Sequence, residues 1–309
     1  MKRFLKALPS LTVILALAAG GQALAKSPRP APVYPTDVRV EADVTYLPED
    51  RKEKADLYFP LEKAATPTAA ILVIHGGGFN DGEKSRNREI SISRNMALRG
   101  YVAMSIDYRL RKTEGQVTWP QSLHDAKTAV RWLRKNADRL GIDPERIGVI
   151  GCSAGGNLAA MLATTGPADG LDPASPYAEV PASVRCAVDF YGAVDLMNYH
   201  DMKMFAKTRV EAPELYKKAS PINYVDAKDA PMLLVHGTAD ETVPLSQSET
   251  LAAALKTAGV EHELVVIPDA PHTFDLEPKE RDLRPVVLGF FEKHLGKPTA
   301  AAVPQLPGK

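Results

Sequence analysis

Arg146-Ile147-Gly148-Val149-Ile150-Gly151-Cys152-Ser153-Ala154-Gly155-Gly156 joins a short apolar run to a glycine-flanked serine. The pattern is G-x-S-x-G between a buried strand and the start of a helix. A serine on so sharp a strand-to-helix turn has its Oγ pushed into the open, close to backbone N–H groups. Small neighbours are needed because larger side chains would clash in the turn. With Gly near ~7 % of residues, the pattern arises by chance in roughly one chain in ten of this length. Its weight therefore depends on what the rest of the chain supplies.

Three other segments agree with it. Ile71-Leu72-Val73-Ile74 runs into His75-Gly76-Gly77-Gly78-Phe79, a strand ending in a glycine loop whose amides can turn toward an oxyanion. Pro231-Met232-Leu233-Leu234-Val235-His236-Gly237 is followed by Thr238-Ala239-Asp240, a carboxylate just past a strand. Glu263-Leu264-Val265-Val266-Ile267 is followed by Pro268-Asp269-Ala270-Pro271-His272, a histidine just past another. The chain order is Ser, Asp, His. That is the triad order of α/β-hydrolases, distinct from those of chymotrypsin and subtilisin folds.

On these motifs, with Asp107-Tyr108-Arg109-Leu110 and Pro271-His272-Thr273-Phe274, the chain resembles an α/β-hydrolase of the HGGG-type esterase/lipase superfamily. The likeness runs from about Tyr34 to Leu295. Within the superfamily it is similar to secreted acetyl-esterase and feruloyl-esterase-like carbohydrate esterases. Trp119-Pro120 and Ser220-Pro221-Ile222 carry that narrower resemblance. It implies hydrolysis of short-chain carboxylic esters, acetyl or feruloyl groups on carbohydrate, through an acyl-enzyme.

Each candidate residue has a chemical reason. A serine hydroxyl is inert near neutral pH unless a base takes its proton. Ser153 is the expected nucleophile and His272 the base. Asp240 is expected to fix the imidazole tautomer, with Glu241 and Asp269 as alternatives. The N–H groups of Gly77, Gly78 and Ala154 are the expected oxyanion donors. His236 and His75 are expected to be structural, and Asp107 and Arg109 to pair near the sheet end. No residue cluster has metal-ligand spacing, and no glycine stretch carries the Lys-Ser/Thr of a P-loop, so no cofactor is expected. A serine peptidase or lactonase, and a catalytically silent binding protein, are the competing readings.

Composition narrows the partners. The chain has 309 residues, 45 % hydrophobic and 25 % charged, within the ordinary range for one large globular domain. Formal net charge is zero, with no long basic run, which argues against a nucleic-acid surface. The expected ligand is a small-molecule or polysaccharide ester.

Met1-Lys2-Arg3 and Lys6, the apolar run Leu11 to Ala19, and Ala23-Leu24-Ala25 form a secretory leader pattern. About nine apolar residues are too few to span a bilayer, so cleavage after Ala25 and export to the periplasm or beyond are expected, with no stable membrane anchor. Residues 26–37 read as a Pro-rich tether, 38–296 as the α/β domain and 297–309 as a flexible tail.

Cys152 and Cys186 are the two cysteines. They fall at opposite ends of successive strands. If those strands are parallel neighbours, the sulfurs are roughly 13–16 Å apart, beyond the reach of a disulfide.

Strands are expected at Val38 to Leu47, Ala55 to Phe59, Ala69 to His75, Tyr101 to Ile106, Val184 to Phe190, Met232 to His236 and Glu263 to Ile267, besides the strand before Ser153. Helices are expected at Ile90 to Arg99, Ser122 to Leu140, Ala154 to Ala163, Ser246 to Ala258 and Arg284 to Leu295. Their alternation predicts an α/β fold: a mostly parallel central sheet with helices on both faces and active loops at the carboxyl ends of the strands. Gly192 to Ala230 is expected to form either a lid or ordinary packing helices.

Overall fold

The computed structural model describes residues 30–298. The expected leader, the first part of the tether and most of the tail lie outside them.

Eight strands form one sheet in the order β1-β2-β4-β3-β5-β6-β7-β8. They are β1 Arg39–Val44, β2 Ala55–Phe59, β3 Thr68–Ile74, β4 Val102–Ile106, β5 Ile142–Cys152, β6 Cys186–Phe190, β7 Met232–Gly237 and β8 His262–Ile267. β2 pairs antiparallel with both β1 and β4, and every pairing from β4 through β8 is parallel. The central strands are buried along their whole length, as a sheet covered on both faces requires.

The pleat divides their side chains between two cores. Ala70, Leu72 and Ile74 of β3 join one core with Leu123, Val130 and Leu133 of helix α2 (Gln121–Lys135), Leu158 of α4 (Ala154–Thr164) and Leu251 of α6 (Ser246–Ala258). Ala69, Ile71 and Val73 join the other, with Ile92 and Met96 of α1 (Asn87–Leu98) and Phe291 and Leu295 of α7 (Arg284–Leu295).

Three expectations are corrected. The helix expected over Ser122 to Leu140 breaks at Asn136 (φ −102°, ψ 17°), leaving a short α3 at Ala137–Leu140. The Asn136 side-chain amide donates to the Trp132 carbonyl at 2.8 Å, local bonding of the kind that competes with a continuous helix. Gly141, in the left-handed region at φ 67°, ends the second piece. β1 is shorter than expected, ending at Val44, and its register with β2 shifts between Glu41 and Val44, where Asp43 has φ 56°. Asp107 and Arg109 do not pair with each other. Asp107 accepts the Lys84 N–H at 2.8 Å, and Arg109 reaches Glu53 Oε1 at 3.1 Å. Their partners come from two different segments, the loop after β3 and the stretch before β2.

Cys152 lies opposite Phe190 and Cys186 opposite Gly148. The four-residue offset is about 13 Å, and both thiols are free and buried.

Candidate active site

Gly77, Gly78, Ser153, Asp240 and His272 sit in connections leaving the carboxyl ends of strands, and Ala154 opens the helix that follows Ser153. Ser153 follows β5 with φ 57° and ψ −116°, a conformation that costs a non-glycine residue about 1–3 kcal/mol. Two backbone bonds hold it: its N–H donates to the Phe190 carbonyl at 2.8 Å, and its carbonyl accepts from Asn157 at 3.0 Å. The flanking glycines are required by close approach. A Cβ on Gly151 would lie 1.9 Å from the Gly155 carbonyl oxygen, and one on Gly155 would lie 2.1 Å from that of Ile74.

The glycine loop leaves β3 beside this turn. A Cβ on Gly76 would come within 3.1 Å of Ser153 Cβ. Gly77 has φ 119°, and its carbonyl accepts the N–H groups of Asn80 and Asp81 at 3.1 and 3.0 Å, which closes the loop. Among the described residues the N–H groups of Gly77, Gly78 and Ala154 donate to no protein acceptor, and all three residues line the cavity that holds Ser153.

His75 lies behind the loop, stacked on Tyr108 with ring centroids 4.3 Å apart. Its Nδ1 is 2.6 Å from the Gly76 carbonyl, so that nitrogen carries the proton. Burial pushes its pKa down to about 3, and the neutral ring supports the loop without adding charge.

His272 Nε2 is 2.9 Å from Ser153 Oγ, and its Nδ1 is 2.6 Å from Asp240 Oδ2. Because Nδ1 faces a carboxylate, it carries the hydrogen, and Nε2 is left to accept from the serine. The Asp240 side chain is fully buried. Burial works against its ionisation. Hydrogen bonds from His236 and His272 and from the Val243 N–H outweigh that effect and hold the carboxyl well below the usual carboxylate range. Oδ1 accepts the Thr242 and Val243 N–H groups at 2.9 and 2.8 Å.

Neither alternative acid makes a hydrogen bond or ion pair with His272, and Glu241 is exposed. The Tyr191 ring, at φ 47°, meets the edge of the His272 ring at 4.7 Å and donates its hydroxyl to the Phe274 carbonyl.

These groups open on a cavity of about 480 Å³. Its wall includes Leu196, Tyr199, His200 and Met202 from the segment after β6. Other side chains of that segment, Met204, Phe205 and Tyr216, are buried in the core. The segment is therefore both a packed element and the wall of the site.

The BD-FAE family model matches residues 55–255, a span that holds Ser153 and Asp240 and stops short of His272. The chain belongs to the BD-FAE family. It is 32 % identical over 247 residues to Esterase LipQ of Mycobacterium tuberculosis, covering 76 % of this chain and 57 % of that protein. It thus spans little more than half the length of this relative. It is 34 % identical over 227 residues to the ethyl acetate hydrolase of Pseudomonas putida, covering 70 % and 69 %.

Among solved structures, a truncated carbohydrate esterase from gut microbiota superposes with a TM-score of 0.77 at 26 % identity. The match covers 86 % of this chain and 99 % of that one. The fold of this BD-FAE member is that of the α/β-hydrolases.

One contact and one residue of the site were not legible in the sequence. His236 is the satisfied structural histidine expected, but its contact with Asp240 was not foreseen. It is buried, with Nδ1 2.7 Å from Ser248 Oγ and Nε2 2.8 Å from the Val243 carbonyl, yet Nε2 also lies 3.3 Å from Asp240 Oδ2. Arg88 was not among the expected site residues. It reaches the same cavity from the first turn of α1, and nothing in its local sequence marks it.

Proposed function

We propose that this chain is a serine esterase that cleaves short-chain carboxylic esters, acetyl foremost, carried on carbohydrate or a similar polar alcohol. The observation that carries the reading is the hydrogen-bonded series Ser153–His272–Asp240 beside three uncommitted N–H groups. The names of its relatives, an ethyl acetate hydrolase and a carbohydrate esterase among them, support the ester and the polar alcohol.

In this mechanism Ser153 Oγ attacks the ester carbonyl while His272 Nε2 takes its proton. Negative charge develops on the former carbonyl oxygen, where the N–H groups of Gly77, Gly78 and Ala154 are the proposed donors. Losing one such donor costs about 3–4 kcal/mol of transition-state stabilisation. His272 then passes its proton to the departing alkoxide, leaving an acyl-serine. A water molecule, deprotonated by His272, attacks the acyl carbon, and the proton returns to Ser153 as the carboxylic acid leaves. Asp240 stays ionised throughout and holds Nδ1–H in place.

Export follows from the leader pattern of residues 1–25 and is part of the same proposal.

The test joins labelling to turnover. A fluorophosphonate probe should label the wild type and not Ser153→Ala. That variant should retain its fold and lose ester hydrolysis by at least about a thousandfold. Along p-nitrophenyl acetate to decanoate, kcat/KM should peak at butanoate or shorter, and acetate should be released from acetylated xylan. A maximum at octanoate or longer without acetate release would replace the carbohydrate-esterase reading with a lipase-like one. Turnover by Ser153→Ala above a tenth of wild type would move the nucleophile elsewhere.

A further inference from the structure

Building on the ester-hydrolase reading, we infer that the cavity at Ser153 selects esters bearing a carboxylate. The whole chain is electrically balanced, with 38 basic and 38 acidic residues, but the cavity wall is not. Its lysine, arginine and acidic lining is Arg86, Arg88 and Lys203 against Asp201. An adjoining cavity of about 740 Å³ shares Asp201, Met202 and Lys203 and adds Arg111, Lys112 and Lys207 against Glu114 and Glu211. Across the two, six cations face three carboxylates. A cleft lined by an excess of one sign, with low-dielectric walls, concentrates the field on a ligand of the other sign.

Two of these cations stand where helix stability argues against them. Arg86 is the N-cap of α1 and Arg88 its second residue, and the Arg86 side chain does not cap the helix's free N–H groups. A cation there opposes the helix dipole, which favours carboxylates at this end. Glu89 offsets part of that cost: Arg88 Nε and Nη2 both lie 2.8 Å from its Oε1. Glu89 is wholly buried and does not line the cavity, so the pair turns its positive end to the ligand.

Arg88 Nη1 has a single distant partner, Tyr191 Oη at 3.5 Å. The guanidinium is also next to the reacting serine. A Cβ on Gly76 would lie 3.2 Å from Arg88 Nη2 and 3.1 Å from Ser153 Cβ. Arg86 commits Nη2 to Asp81 at 2.7 Å and stays partly exposed. The ammonium of exposed Lys203 has no hydrogen bond or ion pair among the described residues. Planar guanidinium groups favour carboxylates through paired charge-assisted hydrogen bonds.

The carboxylate can belong to the acyl group or to the alcohol, and two matched substrate pairs separate these sources. The acyl pair is mono-p-nitrophenyl glutarate and its neutral methyl ester. The alcohol pair is an O-acetylated galacturonide disaccharide and its methyl ester, read by acetate release. In one pair the charged member should have the higher kcat/KM, by about tenfold at about 20 mM NaCl, with the preference shrinking toward parity at about 500 mM.

The double variant Arg86→Gln with Lys203→Gln changes only partly or fully exposed side chains and should cut the preference at least threefold. The pair Arg88→Gln with Glu89→Gln, which leaves no buried charge unpaired, should cut it as well. Parity or a preference for the neutral member in both pairs overturns the inference. So does a preference that neither salt nor any of these variants reduces. Failure to turn over the neutral esters as well overturns the ester-hydrolase reading itself, and the inference with it.

Discussion

At the scale of single residues, Asp240 makes the sharpest claim. Its Oδ2 faces His272 Nδ1 at 2.6 Å, and both of its oxygens are occupied. Asp240→Asn should leave folding nearly unchanged and lower kcat by three to four orders of magnitude, because an amide N–H opposite Nδ1 favours the wrong tautomer. Glu241→Gln, one residue on and exposed, should stay within about twofold of wild type. Steady-state kinetics and a urea melt of the two variants decide it. A crippled Glu241→Gln beside a mild Asp240→Asn would move the acid by one position.

That Ser153, Asp240 and His272 would meet was legible because each stands within a few residues of the end of an apolar strand, and a strand that ends at the sheet's rim delivers the next few residues there. The approach of Arg88 and His236 to the site was not. One approaches from the first turn of a helix that covers the sheet, the other from inside a strand, and periodicity gives no sign that either faces the site. Asp107 and Arg109 misled for a related reason: opposite charges two apart suggest a pair, but the partners come from Lys84 and Glu53, which are remote in sequence.

At the scale of elements, the strand-to-helix turn behaves as one rigid part. The Cβ of Gly151→Ala would lie 1.9 Å from the backbone of Gly155, which cannot move without shifting α4. That substitution should destabilise the protein by at least about 1–3 kcal/mol, and activity should fall with it because Ser153 is displaced. Gly289 in α7 is the control. It is exposed, and an added Cβ there meets nothing within 4 Å. Gly289→Ala should stabilise by about 0.5–1 kcal/mol through helix propensity. Guanidinium unfolding of both variants checks the pair, and equal effects of the same sign would contradict this account of the turn.

The parallel strands and their covering helices were foreseeable, since buried strands appear as continuous apolar runs and α2 as a stripe of one face. The break at Asn136 was not, because it depends on a side-chain bond to Trp132 that an apolar stripe does not record. Residues 192–230 left two outcomes open because short turns of helix carry too few residues to establish a period.

At the scale of the whole molecule, two buried groups near the site set opposite slopes of stability against pH. Burial holds His75 down to about 3. The unfolded chain therefore takes up this proton first, and the stability His75 contributes when neutral is lost as pH falls below about 6.5. Burial pushes Asp189 up to about 6, against a single hydrogen bond from the Gly192 N–H at 2.8 Å. Here the folded chain keeps its proton longer. The stability contributed by the protonated form is present at low pH and lost as pH rises from about 4 to about 6.

Each slope is at most about 1.4 kcal/mol per pH unit. Their windows overlap between about 4 and 6, so in the wild type they oppose and partly cancel. Single substitutions should expose them. Asp189→Asn keeps the acceptor for Gly192 and removes the titration, so its stability should fall more steeply than wild type on going from pH 6 to 4.5. His75→Asn should fall less steeply than wild type, or rise, whatever its loss in absolute stability. Urea unfolding free energies at three pH values, compared as slopes, separate the two. Parallel slopes for wild type and both variants would mean that neither buried group titrates differently in the folded and unfolded chains.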